Sequence, residues 1–372
     1  MTATKPLDEG HPVLALGLMS GTSLDGVDAA LIRTDGLQHI ETLGSLTLPY
    51  NPDVREQIRS VLGSEDYTNE IRSIERVLTL THVEAVKNLL LKDATKAPEV
   101  HIIGFHGHTL VHRPEDGRTW QFGDAALLAE LTQIDVVANF READVAAGGE
   151  GAPLTPAFHA AVSDKLERPI AILNIGGVAN VTWIGADETL VSFDTGPGNA
   201  LIDDWMFARE GRTHDVNGQF AFMGTVDETV LQHLLSQPYF DRPPPKSLDR
   251  NAFDVGLVQS LTNADGAATL TAFTAESIAC GEQHFPSPPR SWLVTGGGRN
   301  NLALMAALSA RLNVPIDQVE NVGWNGDALE AQAFAYLAVR SLRQFPLTFP
   351  GTTGVAGPTR GGHLYRVMDY DC

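Results

Sequence analysis

The chain has 372 residues, of which 43% are hydrophobic, and this is enough for two domains or one large α/β unit. A formal net charge of −20 argues against a nucleic acid or an anionic membrane surface as a partner, although a small anionic ligand stays compatible with a locally positive pocket. The two cysteines have no metal-ligand or disulfide spacing, the N-terminus lacks the layout of a signal peptide, and no apolar run reaches the roughly 18 residues of a membrane span, so we expect a cytoplasmic protein.

The first candidate element is a hairpin over residues 13–32, in which two apolar runs flank a small polar turn. The turn supplies glycines, the hydroxyls of Thr22 and Ser23, and the carboxylate of Asp25. Hydroxyl and N–H groups can hold nucleotide phosphates, and Asp25 can hold Mg²⁺ directly or through water. The turn is not a Walker loop, because it lacks Gly-Lys-Ser/Thr and joins two strands. An ordinary hairpin turn without a ligand stays open as the alternative.

The next segment, residues 51–97, is predicted to be mainly helical because its apolar residues recur three or four positions apart. A buried strand is predicted at 100–105, and it is followed by His106 and His108; a helix over 125–132 comes next. Polar groups at the carboxyl end of a strand lie where open α/β sheets bind ligands. We interpret the two histidines as hydrogen-bonding groups for a substrate, with plain loop histidines as the alternative and metal ligation disfavoured.

Arg141 follows a strand predicted at 136–138. A guanidinium at a strand end of a strongly acidic chain suits the recognition of a carboxylate or a phosphate. The alternative is a structural salt bridge with Glu142 or Asp144. The helix predicted at 156–162 marks the passage from one lobe to the next.

A second hairpin repeats the plan of the first. Strands predicted at 170–175 and 179–184 flank a turn that contains Gly176 and Gly177. Two hairpins of the same plan predict two related lobes, each with its turn facing one nucleotide.

The candidate centre of the chain is Asp194, which ends a strand predicted at 190–193. A turn rich in glycine, with Gly196, Gly198 and Asn199, follows and leads into a predicted helix. A carboxylate at a strand end suits a general base, while glycine N–H groups and the helix N-terminus suit a phosphate. The alternative is an aspartate that caps a turn.

Three consecutive glycines, Gly296, Gly297 and Gly298, lie between a strand predicted at 292–294 and a helix predicted at 302–312. A loop without side chains offers a surface for an adenine ring or a ribose. A plain strand-to-helix turn is the alternative, although such a turn seldom needs three glycines.

The remaining candidates are charged residues near loops or helix ends. Lys246 and Arg250 can meet an anion, but cations of surface loops without a ligand are more common. A helix predicted at 327–342 has Glu330 near its start, where a helix-capping role is the alternative to substrate binding. The tail at 350–362 is predicted to be a loop.

Taken together, these stretches resemble the anhydro-N-acetylmuramic acid kinase family, within the actin/sugar-kinase/Hsp70 superfamily. The matching pieces cover nearly the whole chain in order, at 18–28, 106–109, 139–141, 148–154, 174–177, 193–199 and 295–301. Two positions depart from the family pattern, because Glu150 and His108 stand where the pattern has Gln. A negative charge at Glu150 would alter the contacts near a sugar site, so Glu150 is not among the candidates.

The resemblance implies an α/β fold of two lobes. Each lobe would be a ribonuclease-H-like mixed sheet of the actin/sugar kinase/Hsp70 type, with ATP in the interlobe cleft. Lobe I would cover residues 1–155 and lobe II residues 156–372, with the helix at about 327–342 packing back on lobe I.

The resemblance also implies a reaction. ATP, water and 1,6-anhydro-N-acetylmuramate would give N-acetylmuramate 6-phosphate and ADP, in the recycling of cell-wall peptidoglycan. The enzyme would be cytoplasmic, and a homodimer is a possible assembly. ATP and Mg²⁺ are the implied cofactors. Asp194 would be the catalytic base, Asp25 the metal ligand, and His108, Arg141 and Glu330 the substrate contacts. The residues implied in cofactor binding are Gly21, Thr22, Ser23, Leu24, Asp25, Gly26, Val27, Asp28, Gly176, Gly177, Gly196, Gly198, Asn199, Gly296, Gly297 and Gly298.

Two other functions stay open at this point. One is a related sugar or acetate kinase whose acceptor has a free hydroxyl, and it would phosphorylate such an acceptor without an anhydro bridge. The other is a nucleotide-driven switch of the actin or Hsp70 kind, which would need a separate partner-binding segment that the sequence does not obviously provide.

Overall fold

The computed structural model describes residues 10–21, 24–93, 97–248 and 252–367. Thr22, Ser23 and Arg250 lie outside the described residues, as does the cysteine at the C-terminus. The chain forms two compact units. Unit 1 comprises Met1–Lys165, Ala328–Pro350 and Val355–Cys372, and unit 2 comprises Leu166–Asp327 and Gly351–Gly354. The helix predicted at 156–162 thus belongs to unit 1.

The described strands and helices are numbered here in chain order. The strands are β1 (Val13–Met19), β2 (Gly26–Thr34), β3 (Ile40–Pro49), β4 (Ile102–Phe105), β5 (His108–Arg113), β6 (Arg118–Phe122), β7 (Val136–Ala138), β8 (Ile170–Ile175), β9 (Val178–Ile184), β10 (Leu190–Pro197), β11 (Trp292–Thr295), β12 (Ile316–Gln318) and β13 (His363–Tyr365). The α-helices are α1 (Pro52–Val61), α2 (Asn69–Lys92), α3 (Ala125–Thr132), α4 (Glu142–Ala146), α5 (Pro156–Val162), α6 (Ala200–Glu210), α7 (Gln219–Met223), α8 (Glu228–Leu235), α9 (Asn263–Cys280), α10 (Leu302–Arg311), α11 (Leu329–Leu342) and α12 (Pro350–Thr353).

The main sheet of unit 1 has the order β13-β7-β4-β1-β2-β3. Strands β1, β2 and β3 are antiparallel neighbours, whereas β4 runs parallel to β1 and β7 runs parallel to β4. The two faces of β1 differ because successive side chains alternate. Leu16 and Leu18 are fully buried in the core that α2 covers, whereas Gly17 faces α11. A Cβ at Gly17 would overlap the main chain of Ala331, so this glycine lets α11 approach the sheet closely.

The sheet of unit 2 has the order β10-β9-β8-β11-β12. Strands β8, β9 and β10 are antiparallel neighbours, and β11 and β12 continue the sheet in parallel. Its core packs Phe193 and Trp292 against Ile278 of α9 and Leu304 of α10. Counted within each unit, both sheets place their first five main-sheet strands in the order 3-2-1-4-5. The two units therefore both carry the ribonuclease-H-like α/β sheet that the resemblance implies, and the predicted likeness of the two lobes is confirmed in their strand order. That both turns face one nucleotide stays a prediction.

Several predicted elements are confirmed at their predicted bounds, among them β1, α3, β7, α5 and β8. The helical segment predicted at 51–97 divides into α1 and α2, and the tail at 350–362 contains the short helix α12. The strand predicted to end at Phe193 is longer, because β10 continues to Pro197. Within the part of the chain described here, no helix combines the length and the apolar character needed to cross a membrane.

Candidate functional site

Asp194 lies inside β10 rather than at its end, so the turn predicted to follow Asp194 directly is wrong. The strand continues through a bulge between Asp194 and Gly196. A bulge re-aims a side chain without ending the strand. Asp194 is 7% exposed.

A following segment of unit 2 holds Asp194 from three directions. The Asp194 N–H donates to the carbonyl of Lys246 over 3.0 Å. The Leu248 N–H donates to Asp194 Oδ2 over 2.8 Å, and the Tyr239 hydroxyl donates to the Asp194 carbonyl. We call residues 239–248 the clasp. The clasp holds one carboxylate oxygen and both main-chain polar groups of Asp194, so the side chain has a defined position.

The glycine loop after Asp194 is interlocked with the β8–β9 turn. The N–H groups of Gly198 and Ala200 donate to the Gly177 carbonyl over 2.9 and 3.2 Å, and the Asn199 N–H donates to the Gly176 carbonyl over 2.7 Å. These three N–H groups, which the sequence suggested for an anion, are therefore already hydrogen-bonded within unit 2. A Cβ at Gly198 would overlap the Gly176 carbonyl oxygen. The glycines serve close packing of two loops.

Gly196 has a different neighbour, because a Cβ there would press on the Ser277 side chain of α9. The missing side chain thus allows α9 to pack against β10, next to Asp194. The Thr274 hydroxyl, one turn earlier on α9, donates to the Gly198 carbonyl over 2.9 Å. Helix α9 therefore contacts the loop after Asp194 twice, through close packing at Gly196 and through a hydrogen bond to Gly198.

The three glycines after β11 are not equivalent. Gly296 has φ +77° and lies against Asn174 and Ile175, while a Cβ at Gly298 would overlap the Ile175 side chain. Gly297 is exposed, and the nearest atom to a Cβ there is Asn199 Nδ2 at 3.7 Å. Gly297 is thus the member of the three with room for a ligand.

Arg299 organises this loop, a role that the sequence reasoning missed. It is 5% exposed, its Nε donates to Glu320 over 2.9 Å, and its Nη2 donates to Asp327 over 2.8 Å. Its Nη1 also donates to the Gly296 carbonyl over 2.9 Å. A lone arginine directly after three glycines was the available signal. Its carboxylate partners, however, lie 21 and 28 positions later in the sequence.

The β1–β2 turn of unit 1 is held by a buried polar network. Ser20, which is 1% exposed, shares hydrogen bonds with the Tyr50 hydroxyl over 2.7 Å and with His108 Nδ1 over 3.0 Å. Tyr50 also donates its N–H to the Asp25 carbonyl over 3.1 Å. Within the turn, Leu24 has φ +56° and donates its N–H to the Gly21 carbonyl over 3.1 Å. The network connects both ends of the turn to the strand that follows His106.

The described acidic groups of the turn differ in exposure. The Asp25 side chain is 73% exposed and lies 3.4 Å from Arg55 Nη2. Asp28 accepts a hydrogen bond from the Thr47 hydroxyl over 2.6 Å, and Val27 is fully buried. A Cβ at Gly26 would overlap the Leu48 carbonyl, so Gly26 is required for pairing with β3. Asp25 is thus the carboxylate of this turn that a cation can reach.

No group of three or more His, Cys, Asp or Glu side chains that could hold a metal occurs among residues 10–21, 24–93, 97–248 and 252–367. Mg²⁺ is usually held by one or two carboxylates together with waters and substrate phosphates. A single exposed carboxylate at Asp25 fits that mode of binding, and a cage made of protein side chains does not.

His106 and Arg141 form a contact in unit 1. Arg141 Nη2 lies 3.0 Å from His106 Nε2, and Arg141 Nη1 donates to the Gly151 carbonyl over 2.8 Å. Because His106 Nδ1 lies 3.0 Å from the Gly107 carbonyl, the ring donates from Nδ1 and accepts at Nε2. Burial and the nearby Arg141 hold the pKa of His106 well below its ordinary value. A neutral His106 thus orients Arg141.

His108 and Glu330 are the other two predicted substrate contacts, and both lie in unit 1. His108 is fully buried, its pKa is lowered to about 4 by burial, and its Nε2 has no hydrogen-bond partner. Glu330 is in the first turn of α11, four residues before Phe334, whose ring centroid lies 4.6 Å from that of His106. Residues four apart share a helix face, so Glu330 and the His106 contact lie on the same side of α11. His108 and Arg141 thus both neighbour His106, and Glu330 lies one helical turn before the Phe334 ring that contacts His106.

Comparison with known proteins gives one family. The model of the family described as "Anhydro-N-acetylmuramic acid kinase" matches residues 13–367. A relative of that name from Rhizorhabdus wittichii is 51% identical over 95% of this chain and 99% of its own length. Relatives of the same name from Paramagnetospirillum magneticum and Zymomonas mobilis are 52% and 47% identical, over 94% and 95% of this chain and 99% and 100% of their own lengths.

Proposed function

The chain belongs to the anhydro-N-acetylmuramic acid kinase family, and on that premise we propose that Asp194 is the general base of its reaction. The protein is an ATP-dependent kinase that opens 1,6-anhydro-N-acetylmuramate with water and phosphorylates O6, giving N-acetylmuramate 6-phosphate and ADP. This reaction serves the recycling of peptidoglycan. A kinase for a free hydroxyl acceptor and a nucleotide-driven switch are not favoured, because the family match extends over residues 13–367.

The chemistry of the substrate determines what the base must do. In an ordinary sugar kinase the base takes a proton from the attacking hydroxyl. Here O6 is part of an ether bridge and has no proton. Asp194 instead accepts a proton from a water molecule whose oxygen bonds to C1. The C1–O6 bond breaks, and O6 takes the γ-phosphoryl group while ADP leaves.

The observation that carries this proposal is the defined position of the Asp194 carboxylate. Asp194 is 7% exposed, and Leu248 and Lys246 hold it through hydrogen bonds of 2.8 and 3.0 Å. A base that is held in place needs less reorganisation before it can act on water. General-base catalysis of this kind contributes roughly 10²–10⁴-fold to a rate.

We assign the nucleotide phosphates to the β1–β2 turn of unit 1, over 21–28. Thr22 and Ser23 are part of this assignment, although they lie outside the described residues. Asp25 would hold Mg²⁺, which neutralises phosphate charge when bound. This offsets the repulsion between a polyanion and a chain with a net charge of −20.

We assign the adenosine to unit 2, with Gly297 as the open position of the loop that also contains Gly296 and Gly298. The remaining assigned residues of unit 2 contribute mainly shape. Gly176, Gly198 and Asn199 use their N–H groups within unit 2, Gly177 accepts through its carbonyl, and Gly196 leaves room for the Ser277 side chain.

For the sugar we assign His108, Arg141 and Glu330 of unit 1. Arg141 suits the lactyl carboxylate, because a guanidinium oriented by His106 can present a fixed donor pair. A cytoplasmic location and a homodimer are part of the proposal and rest on the sequence reasoning and the family.

The reaction is tested with ATP and 1,6-anhydro-N-acetylmuramate in ¹⁸O-labelled water. We expect the label at C1 of the product and none in its phosphate ester oxygen. Label in the phosphoryl group instead, or phosphorylation of N-acetylglucosamine at a comparable rate, would contradict the proposed reaction.

The base is tested with Asp194→Asn, which removes the negative charge and keeps the size. We expect a loss of turnover of roughly 10²–10⁴-fold or more, with ATP affinity changed little. Asp254→Asn is the matched control, because Asp254 is exposed in the same unit and an amide oxygen can still accept from Gly256 as Asp254 does over 2.8 Å. Ordinary turnover in Asp194→Asn would remove Asp194 from the mechanism.

A further inference from the structure

The clasp contains a buried cation that the sequence reasoning treated as a surface-loop residue. Lys246 is 3% exposed, so that expectation is wrong. Burying an ammonium group costs free energy unless it is compensated by polar partners or nearby opposite charge. A lysine buried in this position therefore points to a local role for its charge.

The contacts of Lys246 join the two ends of the clasp. Its Nζ donates to the Tyr239 carbonyl over 3.2 Å and lies 4.5 Å from the centroid of the Tyr239 ring. Tyr239 donates its hydroxyl to the Asp194 carbonyl, and the Lys246 carbonyl accepts from the Asp194 N–H. The side chain of Lys246 thus connects the two residues that hold the main chain of Asp194.

We propose that Lys246 is a positioning residue for Asp194: its buried ammonium keeps the clasp closed on the carboxylate and favours the ionised form of that carboxylate. The inference rests on the proposed function, because it concerns the rate only where Asp194 acts as the base. Lys246 does not need to touch the substrate for this role.

The charges around Lys246 are consistent with this role. Burial lowers the pKa of Lys246, and Arg242 lowers it further, whereas Asp194, Asp241 and Cys280 raise it. Asp194 carries the charge opposite to that of the ammonium, so the attraction between the two groups favours the charged form of each. His284 also faces Lys246, and burial together with Lys246 lowers the pKa of His284.

The main test is Lys246→Met, which keeps an unbranched apolar stem and removes the charge. We expect kcat to fall about 10–100-fold, with KM for ATP and for the sugar changed less than about threefold. We also expect the acid limb of the kcat–pH profile to move to higher pH by about half a unit or more, because the base loses a nearby cation. A purely structural role would not move this limb.

Two further variants separate charge from packing. Tyr239→Phe removes the hydroxyl that Asp194 accepts from but leaves Lys246 charged, so kcat should fall while the acid limb stays in place. Lys246→Arg keeps the charge, so its acid limb should also stay in place. Lys87→Met makes the same chemical change at an exposed lysine of α2 and should leave both quantities unchanged.

An unmoved acid limb in Lys246→Met, or an unchanged kcat, overturns the inference. Should this variant fail to fold, Lys246→Gln carries the same test, because its amide can still donate to the Tyr239 carbonyl without a charge. The two proposals fail separately. Turnover in Asp194→Asn defeats the base itself, whereas an inactive Asp194→Asn together with an unaffected Lys246→Met defeats only the role of Lys246.

Discussion

The two hairpins of this chain occupy the same place in two sheets of the same strand order, yet their turns are stabilised in different ways. The β1–β2 turn is tied by side chains, through Ser20, Tyr50 and His108. The β8–β9 turn is tied by main chain, because the carbonyls of Gly176 and Gly177 accept from the loop after Asp194. The same strand order thus occurs with two kinds of turn. The β1–β2 turn is stabilised by side-chain hydrogen bonds, and the β8–β9 turn by close packing of main chain against main chain.

The difference predicts different weaknesses. A turn held by buried polar side chains is sensitive to protonation and to loss of a hydrogen-bonding partner, since an unsatisfied buried group is costly. A turn held by backbone contact is sensitive to any added atom, since neighbouring main chain cannot move away cheaply. We therefore expect low pH to act mainly on unit 1, and an added methyl group to disrupt the contact between the two interlocked loops of unit 2.

The largest expected effect is acid destabilisation of unit 1. Five of its histidines have lowered pKa values, chiefly because burial disfavours the charged ring. The pKa values are about 4 for His82, His108 and His112, about 3 for His159, and well below the ordinary value for His106. Among the described histidines of unit 2, His284 has a lowered pKa, and it is only partly buried.

The sign follows from proton uptake. Each of these rings is neutral in the folded protein and binds a proton more readily when unfolded, so stability rises with pH between about 4 and 6.5 and is lost as the pH falls. At about pH 5 each such histidine costs on the order of 2 kcal/mol of unfolding free energy. Hydrogen exchange at acid and neutral pH, corrected for intrinsic rates, should show protection lost in unit 1 before unit 2. Equal loss in both units would contradict this.

The second effect is steric and belongs to unit 2. In Gly198→Ala the new methyl group would overlap the Gly176 carbonyl oxygen, which is itself fixed by the N–H of Asn199. We expect a loss of about 3 kcal/mol in unfolding free energy, measured by denaturant unfolding, together with reduced activity. A fully stable Gly198→Ala would show that the two loops can separate.

The matched control is Gly297→Ala, at the exposed position where a Cβ would have 3.7 Å to its nearest neighbour. Its unfolding free energy should change by less than about 0.5 kcal/mol. Its KM for ATP should rise, because this position is assigned to the adenosine. An unchanged KM for ATP would remove Gly297 from that assignment.

The sequence predicted the elements that are strongly apolar or well capped. Helix α3 is an example, since Asp124 precedes it and accepts from the Leu127 N–H over 2.9 Å. Strands β3 and β12 were not predicted, because their residues are mostly partly buried or exposed and show no continuous apolar run. The extension of β10 was missed because a Gly-Pro-Gly run normally indicates a turn.

The site was predicted in its residue types but not in its contacts. Asp194 and the glycine loops were found from local pattern, but nothing local shows that Lys246 lies against Asp194 or that Ser20 meets His108, 88 positions later. For the same reason the N–H groups after Asp194 were assigned to a ligand, when the carbonyls of Gly176 and Gly177 already accept from them. Hydrogen-bond partners distant in sequence are decided by the tertiary fold.

The smallest expected effect concerns the two nitrogens of His108. Its Nδ1 bonds to Ser20 over 3.0 Å, and its Nε2 is buried without a partner, as expected for a group that receives one from a substrate. At position 108, the amide of an asparagine would lie where Nδ1 of the histidine lies, and the amide of the longer glutamine would lie where Nε2 lies. His108→Asn should therefore keep the unfolding free energy within about 0.5 kcal/mol but raise KM for the sugar.

His108→Gln should do the reverse. It should lose about 1 kcal/mol of unfolding free energy through the missing Ser20 contact and keep KM for the sugar nearly unchanged. Denaturant unfolding and steady-state kinetics of the two variants check both halves together. If both variants changed stability alone, His108 would belong only to the network of the β1–β2 turn, because a substrate contact must appear in KM whichever nitrogen makes it.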